Sequence, residues 1–193
     1  MKITSANLSS NAVVTTLLLC MVIFIPVTQI QAQTKITDAA PTPPKWFLRL
    51  NKTDRACLDA VISEPLPDFP PEIEFIPGDK PLKRTDLLGK VVVFQSWTSK
   101  HRTGRNMPGQ VQRNLKEIKS DDLLIIALHT PDGAEGAKEY LKKNPLDIPV
   151  IIDPVGEFCD AIGVYKRPVN LVIDKQGIVR YAGLNKRGLN EAV

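Results

Sequence analysis

The chain has 193 residues, of which 43% are apolar and 24% are charged, as expected for a globular protein with one core. The net charge of +4 is small. The chain also has no basic stripe interleaved with aromatic residues and no zinc-ligand spacing, so nothing in it indicates a nucleic-acid-binding protein.

Residues 1–32 have the pattern of an export signal. Lys2 precedes an apolar run from Ala12 to Val27, and Gln31-Ala32 supplies a small residue before a cleavage site. An uncleaved membrane anchor is the alternative, although the run is shorter than the ~20 residues that a spanning helix needs. Cleavage is therefore favoured, and we expect a periplasmic or extracellular protein in an oxidising compartment.

Residues 33–45 are predicted to form a linker, because Pro41-Thr42-Pro43-Pro44 favours an extended spacer. Residues 46–64 follow as a helical extension. The helical pattern runs from Trp46 to Ile62, Thr53 is a candidate N-cap, and Pro65 ends the pattern. Its apolar stripe predicts a helix that lies on the main domain and covers part of the core: Cys57, Leu58, Val61 and Ile62.

Residues 65–193 have the pattern of one α/β domain. Val91, Val92, Val93 and Phe94 form an unbroken apolar run, which is typical of a strand buried on both faces. Leu123 to Leu128 predicts a second buried strand, and the two runs flank a helical pattern at about 104–119. The remaining predicted elements are an edge strand at Ile73, Phe75 and Ile76, a helical turn at 85–88, a helix at 134–143, an extended segment at 148–153, a short helix at 156–162 and a hairpin of 169–174 with 178–181.

The C-terminus predicts only a short helix, since residues 187–193 supply two turns at most. Three outcomes follow for the sheet face beside it. Part of that face is exposed, or the N-terminal helix covers it, or a partner covers it.

The stretch from Gly89 to Pro108 resembles the exported thioredoxin-fold proteins of the TlpA/ResA and AhpC/TSA (redoxin) family. That family typically reads Gly-Lys-Val-Val-Val, an aromatic residue, Trp-Cys-x-x-Cys and then Met-Pro. The strand, Trp97 and Met107-Pro108 are present here, but residues 99–103 occupy the dithiol region without a cysteine. The resemblance covers about residues 63–185. It implies a thioredoxin-like fold, with a central mixed sheet flanked by helices, an N-terminal helical extension and a shortened C-terminal helix.

The resemblance also gives a role to Arg167-Pro168, which stands where the family has its cis-proline. In the family this proline faces the dithiol and presents backbone to an extended partner peptide. We therefore expect a cis bond before Pro168, with the proline packed beside residues 98–103. Peptide docking of this kind needs no cysteine.

Polar and basic residues follow both predicted parallel strands. Because parallel strands end at the same edge of a sheet, their loops should meet there, beside a helix N-terminus that favours anions. The residues expected on this basic rim are Ser99, Lys100, His101, Arg102, Thr103, Arg105, His129 and Arg167. One hypothesis is a site for an anion or acidic peptide; the other is a solvated basic loop.

Other chemistry at this rim has less support. His101 and His129 lack an acidic or thiol companion in the sequence, which makes them a poor zinc set, so neither a metal nor a cofactor is predicted. A serine nucleophile that uses either histidine as base would need a third, orienting group, and the sequence does not indicate one.

Cys57 and Cys159 are the two cysteines that would remain after cleavage. Each lies on an apolar stripe, and buried free cysteine is common. In an oxidising compartment two leftover thiols favour pairing, and a bridge would connect the N-terminal helix to the short helix at 156–162. A structural disulfide is favoured over a catalytic one, because neither cysteine lies in an exposed electropositive niche.

Two functions remain from the sequence. The first is a redoxin-like binding or scaffolding module that holds an extended peptide or an acidic protein in the Pro168 groove and at the basic rim. The second is a thiol-disulfide oxidoreductase or antioxidant activity through Cys159, with Cys57. The missing C-x-x-C favours the first. A nucleic-acid partner is not predicted, and a membrane partner is predicted only if the N-terminal segment stays uncleaved.

Overall fold

A computed structural model describes residues 44–78, 81–118, 120–165 and 168–193. The predicted signal and residues 33–43 of the linker lie outside these ranges, as does Arg167. Among the described residues, no helix is both long enough and apolar enough to span a membrane.

The described residues form five helices, six strands and two 3₁₀ turns. The helices are α1 Lys52–Ala60, α2 Arg102–Leu115, α3 Ala134–Lys143, α4 Glu157–Ala161 and α5 Lys186–Ala192. The strands are β1 Glu74–Ile76, β2 Val91–Trp97, β3 Leu123–His129, β4 Val150–Ile152, β5 Asn170–Ile173 and β6 Val179–Ala182. The 3₁₀ turns are Pro44–Trp46 and Arg84–Leu87.

The six strands form one mixed sheet in the order β1-β4-β3-β2-β5-β6. β3 pairs in parallel with both β2 and β4, whereas β1, β5 and β6 pair antiparallel with their neighbours. The predicted βαβ, α, ββ order is confirmed, and β1 lies at an edge of the sheet as predicted. β2 lies near the middle because its apolar residues are buried on both faces, as the unbroken run predicts.

One face of the sheet packs beneath α1 and α4. Phe94 of β2, Leu58 of α1 and Phe158 of α4 share this core, and each is at most 1% exposed. Gly163, which follows α4, has a φ of 69°, and a Cβ there would lie 2.6 Å from the carbonyl oxygen of Cys57. A glycine is required at this position, and the close approach sets α1 against the end of α4. The N-terminal helix therefore covers core, as the sequence predicts.

The opposite face packs beneath α2, α3 and α5. Leu115 of α2 and Leu189 of α5 are at most 2% exposed and share one cluster with Val93 of β2, with Trp46 packed against it. Asn185 caps α5 by accepting a hydrogen bond from the backbone N–H of Gly188 at 3.0 Å. The second of the three outcomes proposed for this face is wrong, because α1 packs on the other face. The short α5 and Trp46 cover this face instead.

Two predicted boundaries are wrong. α1 begins at Lys52 rather than Trp46, and its N-cap is Asn51 rather than Thr53, because the Asn51 side chain accepts the backbone N–H of Asp54 at 2.8 Å. The residues before α1 are not helical and are bound instead to the segment between β6 and α5. The N–H of Leu48 donates to the carbonyl of Gly183 at 2.8 Å. α2 spans Arg102–Leu115 rather than about 104–119.

Candidate functional site

The candidate site lies where β2 and β3 end at the same edge of the sheet. The last residues of the two strands, Trp97 and His129, are paired in register, and their ring centroids are 4.5 Å apart in an edge-on arrangement. Both side chains are at most 1% exposed. The loops that follow the two strands therefore start from a rigid, buried base.

His129 holds the first of these loops by accepting a backbone hydrogen bond. The N–H of Ser99 lies 2.8 Å from Nε2 of His129, and Nδ1 lies 2.6 Å from the carbonyl oxygen of Thr130. Because a backbone N–H can only donate, Nε2 carries the lone pair and the proton is on Nδ1, which donates to Thr130. Burial lowers the pKa of His129, in agreement with a neutral ring.

Two side chains of the β2–α2 loop also bind the backbone of the β3–α3 loop. Thr98 Oγ1 donates to the carbonyl of Asp132, and Ser99 Oγ donates to the carbonyl of Gly133 at 2.9 Å. Gly104 in the first turn of α2 lies so close to Thr98 that a Cβ would come within 2.6 Å of the threonine methyl group. The β2–α2 loop is therefore held by hydrogen bonds to the β3–α3 loop and by close packing against the first turn of α2.

This geometry argues against a serine nucleophile at Ser99. Its Oγ does lie 3.0 Å from Nε2 of His129, and the carbonyl of Thr130 orients the ring. However, the single lone pair on Nε2 already accepts the N–H of Ser99, so it is not available to take the hydroxyl proton. His129 is a structural acceptor here rather than a general base.

The structure does not bring all residues of the predicted basic rim together. Lys100 Nζ lies 2.8 Å from one carboxylate oxygen of Asp132, and His101 Nε2 lies 3.5 Å from the other. The guanidinium of Arg105 lies over the ring of Tyr140 at 5.8 Å and donates to the carbonyl of Lys100 at 3.4 Å. Arg102 and Thr103 are exposed in the first turn of α2. The predicted anion position beside Lys100 and His101 is thus taken by the chain's own Asp132.

A cleft of about 540 Å³ opens beside these loops. One wall consists of the two loops and the other of α4 and the residues after it. The lining residues are Thr98, His101, Thr130, Pro131, Asp132, Cys159, Asp160, Val164 and Tyr165. Tyr165 is 45% exposed, which is high for an aromatic side chain. Each wall therefore combines apolar contact with a carboxylate, which is Asp132 on the loop wall and Asp160 on the α4 wall.

The family of the chain follows from its match to a family model. The model of the AhpC/TSA family matches residues 62–182, which is more than half of the sequence. The chain belongs to the AhpC/TSA family. The sequence resemblance is therefore confirmed at the level of the family.

Named relatives of this AhpC/TSA protein are thiol-disulfide oxidoreductases. The thiol-disulfide oxidoreductase ResA of Bacillus thuringiensis subsp. konkukian is 28% identical over 100 residues, which cover 52% of this chain and 58% of ResA. ResA of Bacillus cereus matches to the same extent. The chain thus spans less than two thirds of the length of the curated relatives that it matches.

Solved structures confirm the thioredoxin-like fold. The exposed lipoprotein thioredoxin of Streptococcus pneumoniae strain TIGR4 is 24% identical with a TM-score of 0.54, covering 65% of this chain and 97% of that one. A thiol-disulfide oxidoreductase from Bacteroides fragilis is 16% identical with a TM-score of 0.56, covering 67% of this chain and 96% of that one. The expected mixed sheet flanked by helices is confirmed by these likenesses.

The sulfur atoms of this AhpC/TSA chain are not in the β2–α2 loop. Its cysteines are Cys20, Cys57 and Cys159. Cys159 lies in α4 at the base of the cleft and is 1% exposed. Burial raises the pKa of the Cys159 thiol, and the neighbouring carboxylate of Asp153 raises it further. Cys159 is therefore held as a neutral thiol, whereas the nucleophile in disulfide exchange is a thiolate.

The structure does not show the predicted disulfide, since Cys57 and Cys159 are free thiols in it. The residues around Cys159 hold it within the core. Asp153 is 1% exposed and accepts the backbone N–H groups of Gly156 and Cys159, each at 2.8 Å. These bonds fix the start of α4 and keep Cys159 in the apolar cluster beneath it.

The predicted cis bond between Arg167 and Pro168 lies partly outside the described residues. Pro168 itself is half-buried. The N–H of Ser96, near the end of β2, donates to the carbonyl of the next residue, Val169, and the N–H of Val169 donates to Oγ of Ser96, each at 2.8 Å. Pro168 is thus next to a residue that is tied to the same sheet edge as the β2–α2 loop.

Sequence reasoning missed the second wall of the cleft. Asp132 was detectable in principle, because it follows the second parallel strand in a Thr-Pro-Asp-Gly turn, at the same edge as His129. Asp160, Val164 and Tyr165 carry no such signal, since they follow a short helix whose position depends on packing. Among the described residues, no cluster of three or more histidine, cysteine or acidic side chains has metal-binding geometry.

Proposed function

We propose that this protein is an exported AhpC/TSA-family module that binds an extended segment of a partner protein and does not exchange disulfides. The observation that carries the proposal is the cleft beside the β2–α2 loop. That loop occupies the dithiol region of the family without a cysteine. The N–H of Ser99 donates to the side chain of His129, and the side chains of Thr98 and Ser99 donate to backbone carbonyls of the β3–α3 loop.

The state of the thiols supports the absence of disulfide exchange. Exchange begins when a thiolate attacks a disulfide and ends when a nearby second thiol resolves the mixed disulfide. Cys159 is 1% exposed, and burial raises its pKa, so it supplies little thiolate and little access. The thiol-disulfide activity of the named relatives is therefore not the activity that this geometry favours.

The shape and composition of the cleft support peptide binding. Its volume of about 540 Å³ suits a few side chains rather than a folded domain. Pro131, Val164 and Tyr165 offer apolar contact, and Asp132 and His101 offer polar contact. β2 leads into the cleft at Thr98, and Ser96 of that strand is hydrogen-bonded to Val169, the residue after Pro168. In the family this proline presents backbone to an extended chain.

Export is supported by the sequence of residues 1–32, with a basic residue, an apolar run and a small residue at its end. One structural relative is named an exposed lipoprotein. Both features favour a partner that is itself outside the cytoplasm.

The binding test uses a protein that stays extended, reduced and carboxamidomethylated α-lactalbumin, carrying a fluorescent label. We expect Tyr165→Ala to weaken binding at least ~5-fold, the equivalent of about 1 kcal/mol of lost contact. Leu88→Ala is the matched control, because Leu88 is 46% exposed, like Tyr165 at 45%, but lies outside the cleft. The measurement is fluorescence anisotropy.

Two results would overturn the proposal. One is the absence of binding by the unmodified protein up to millimolar concentration. The other is an equal affinity for the Tyr165→Ala and Leu88→Ala variants, which would place binding elsewhere on the surface.

The redox arm of the test is the reduction of insulin disulfides, followed by turbidity. We expect no acceleration over the reductant alone. Activity that persists in a Cys57→Ser/Cys159→Ser double variant would show that the interpretation of the loop is wrong. Activity that disappears in that variant would instead support the second function, and the two single variants would then assign it to Cys159, to Cys57 or to both.

A further inference from the structure

The carboxylate of Asp132 meets two basic side chains at the mouth of the cleft. Its two oxygens lie 2.8 Å from Lys100 Nζ and 3.5 Å from His101 Nε2. His101 is also the N-cap of α2, a helix of 14 residues, and no side-chain cap of this helix is found among the described residues. The ammonium of Lys100 and a ring nitrogen of His101 therefore both face this carboxylate.

We propose that Asp132 is an internal stand-in for a single aspartate or glutamate of the bound segment. When the segment enters the cleft, its carboxylate takes the place of Asp132 beside Lys100 and His101. This inference rests on the proposed function, because it names the residue that the same cleft selects.

The ion pair is suited to exchange because it is exposed to water. The side chains of Lys100, His101 and Asp132 are 58%, 65% and 49% exposed. Exposed ion pairs contribute little net stability, since both charges are well solvated when they separate. A partner carboxylate can therefore displace Asp132 at a small cost in free energy.

The backbone around the pair stays in place during such an exchange. Thr98 Oγ1 donates to the carbonyl of Asp132 and accepts the backbone N–H of Lys100 at 3.1 Å. One threonine side chain thus ties together the two loops that carry the pair. Only the side chains of Lys100 and Asp132 have to rotate, which leaves the walls of the cleft preformed.

The rest of the lining limits the partner to one carboxylate. Asp160 lines the wall opposite the loops, together with Val164 and Tyr165. A run of acidic residues would place a second carboxylate near Asp160 and be repelled. A segment with one acidic residue followed by apolar residues fits both walls.

The test compares two ten-residue peptides that are acetylated and amidated at their ends. Each contains valine and proline residues, and one central position is glutamate in the first peptide and glutamine in the second. Because this glutamate is the only charge, the difference in affinity reports the proposed contact alone. Affinities are measured by titration calorimetry at low salt, where exposed charges are screened least.

Three variants assign the contact. We expect Asp132→Asn to bind the glutamate peptide about 2- to 5-fold more tightly than the unmodified protein does, as expected for an exposed ion pair, with the glutamine peptide unchanged. Lys100→Met should remove the preference for glutamate. Glu139→Gln is the matched control, because it removes an exposed carboxylate that lies outside the cleft and is paired with Lys142 and Lys143 rather than with Lys100.

The outcomes separate the two proposals. If the glutamate peptide binds Asp132→Asn no better than the unmodified protein, Asp132 is not a stand-in and the inference is wrong. Binding of extended α-lactalbumin without binding of either peptide also overturns the inference, but leaves the proposed function standing. If neither α-lactalbumin nor a peptide binds, the proposed function itself fails.

Discussion

The sheet face beneath α4 and the sheet edge after β3 are both buried, but different interactions hold them. Beneath α4, Phe158 packs against Phe94 and Phe69 with ring centroids 5.9 Å and 5.0 Å apart. At the edge, His129 is 0% exposed and is held by hydrogen bonds of 2.8 Å and 2.6 Å to Ser99 and Thr130. The first region is stabilised by buried apolar area, whereas the second is held by hydrogen bonds, which require a specific geometry.

This difference indicates how each region responds to change. Apolar burial is not directional, so a loss of area has a cost in proportion to the atoms removed and the cavity left. A buried hydrogen bond contributes little net stability, but an N–H left without an acceptor costs its full desolvation. We therefore expect the aromatic face to dominate the stability and the polar edge to dominate the order of the loop.

Phe158→Ala should give the largest loss of stability. The side chain is fully buried, so its removal leaves a cavity beneath α4 and should lower the free energy of unfolding by about 3–5 kcal/mol. Urea denaturation followed by circular dichroism measures this loss. Val155→Ala, at a residue that is 66% exposed in the same segment, should stay within about 0.5 kcal/mol of the unmodified protein. Similar losses for both variants would contradict the comparison.

His129→Leu should give a smaller loss of stability but a larger change in the loop. The leucine removes the acceptor of the Ser99 N–H, which should cost about 1–3 kcal/mol. Hydrogen exchange at the Ser99 amide should accelerate, because the amide then opens without breaking a bond.

Two further variants sharpen this result. Ser99→Ala keeps the N–H but loses the hydroxyl contacts to the carbonyl of Gly133 and to His129, so about 1 kcal/mol is expected. His101→Leu removes the exposed histidine of the same loop and should not change the protection of Ser99. A protected Ser99 amide in His129→Leu would show that the histidine does not hold the loop.

The smallest expected effect is a dependence of stability on pH. Burial lowers the pKa of His129 below its ordinary value of 6.5, so between the folded and unfolded pKa values the unfolded chain binds more protons. Stability should therefore fall as the pH drops through about 6.5 and stop falling below the folded pKa, with a slope of at most about 1.4 kcal/mol per pH unit. Denaturation curves between pH 7.5 and 5, in about half-unit steps, measure the slope.

His129→Leu provides the control for the pH dependence. Other groups titrate in both proteins, whereas the difference between the two curves isolates His129. A difference that is constant with pH would show that the histidine has the same pKa in the folded and unfolded states.

Much of this fold could be predicted from local patterns in the sequence. The unbroken apolar runs at 91–94 and 123–128 are confirmed as parallel central strands, and the helix predicted at 134–143 has the bounds Ala134–Lys143. These patterns are reliable because strand and helix periodicity arise from neighbouring residues. The absence of sulfur at 99–103 is likewise a property of the sequence alone.

Contacts between distant residues were decided only by the tertiary structure. The sequence predicts that Lys100 and His101 lie on a basic rim. The packing of the β3–α3 loop places the carboxylate of Asp132 within 3.5 Å of both side chains. In the same way Trp46 covers the sheet beside α5, although the helical pattern predicts it within the N-terminal helix. No local pattern encodes these positions, because each depends on how two separate segments pack on the sheet, and that packing sets both the charge of the cleft and the chemistry of its sulfur.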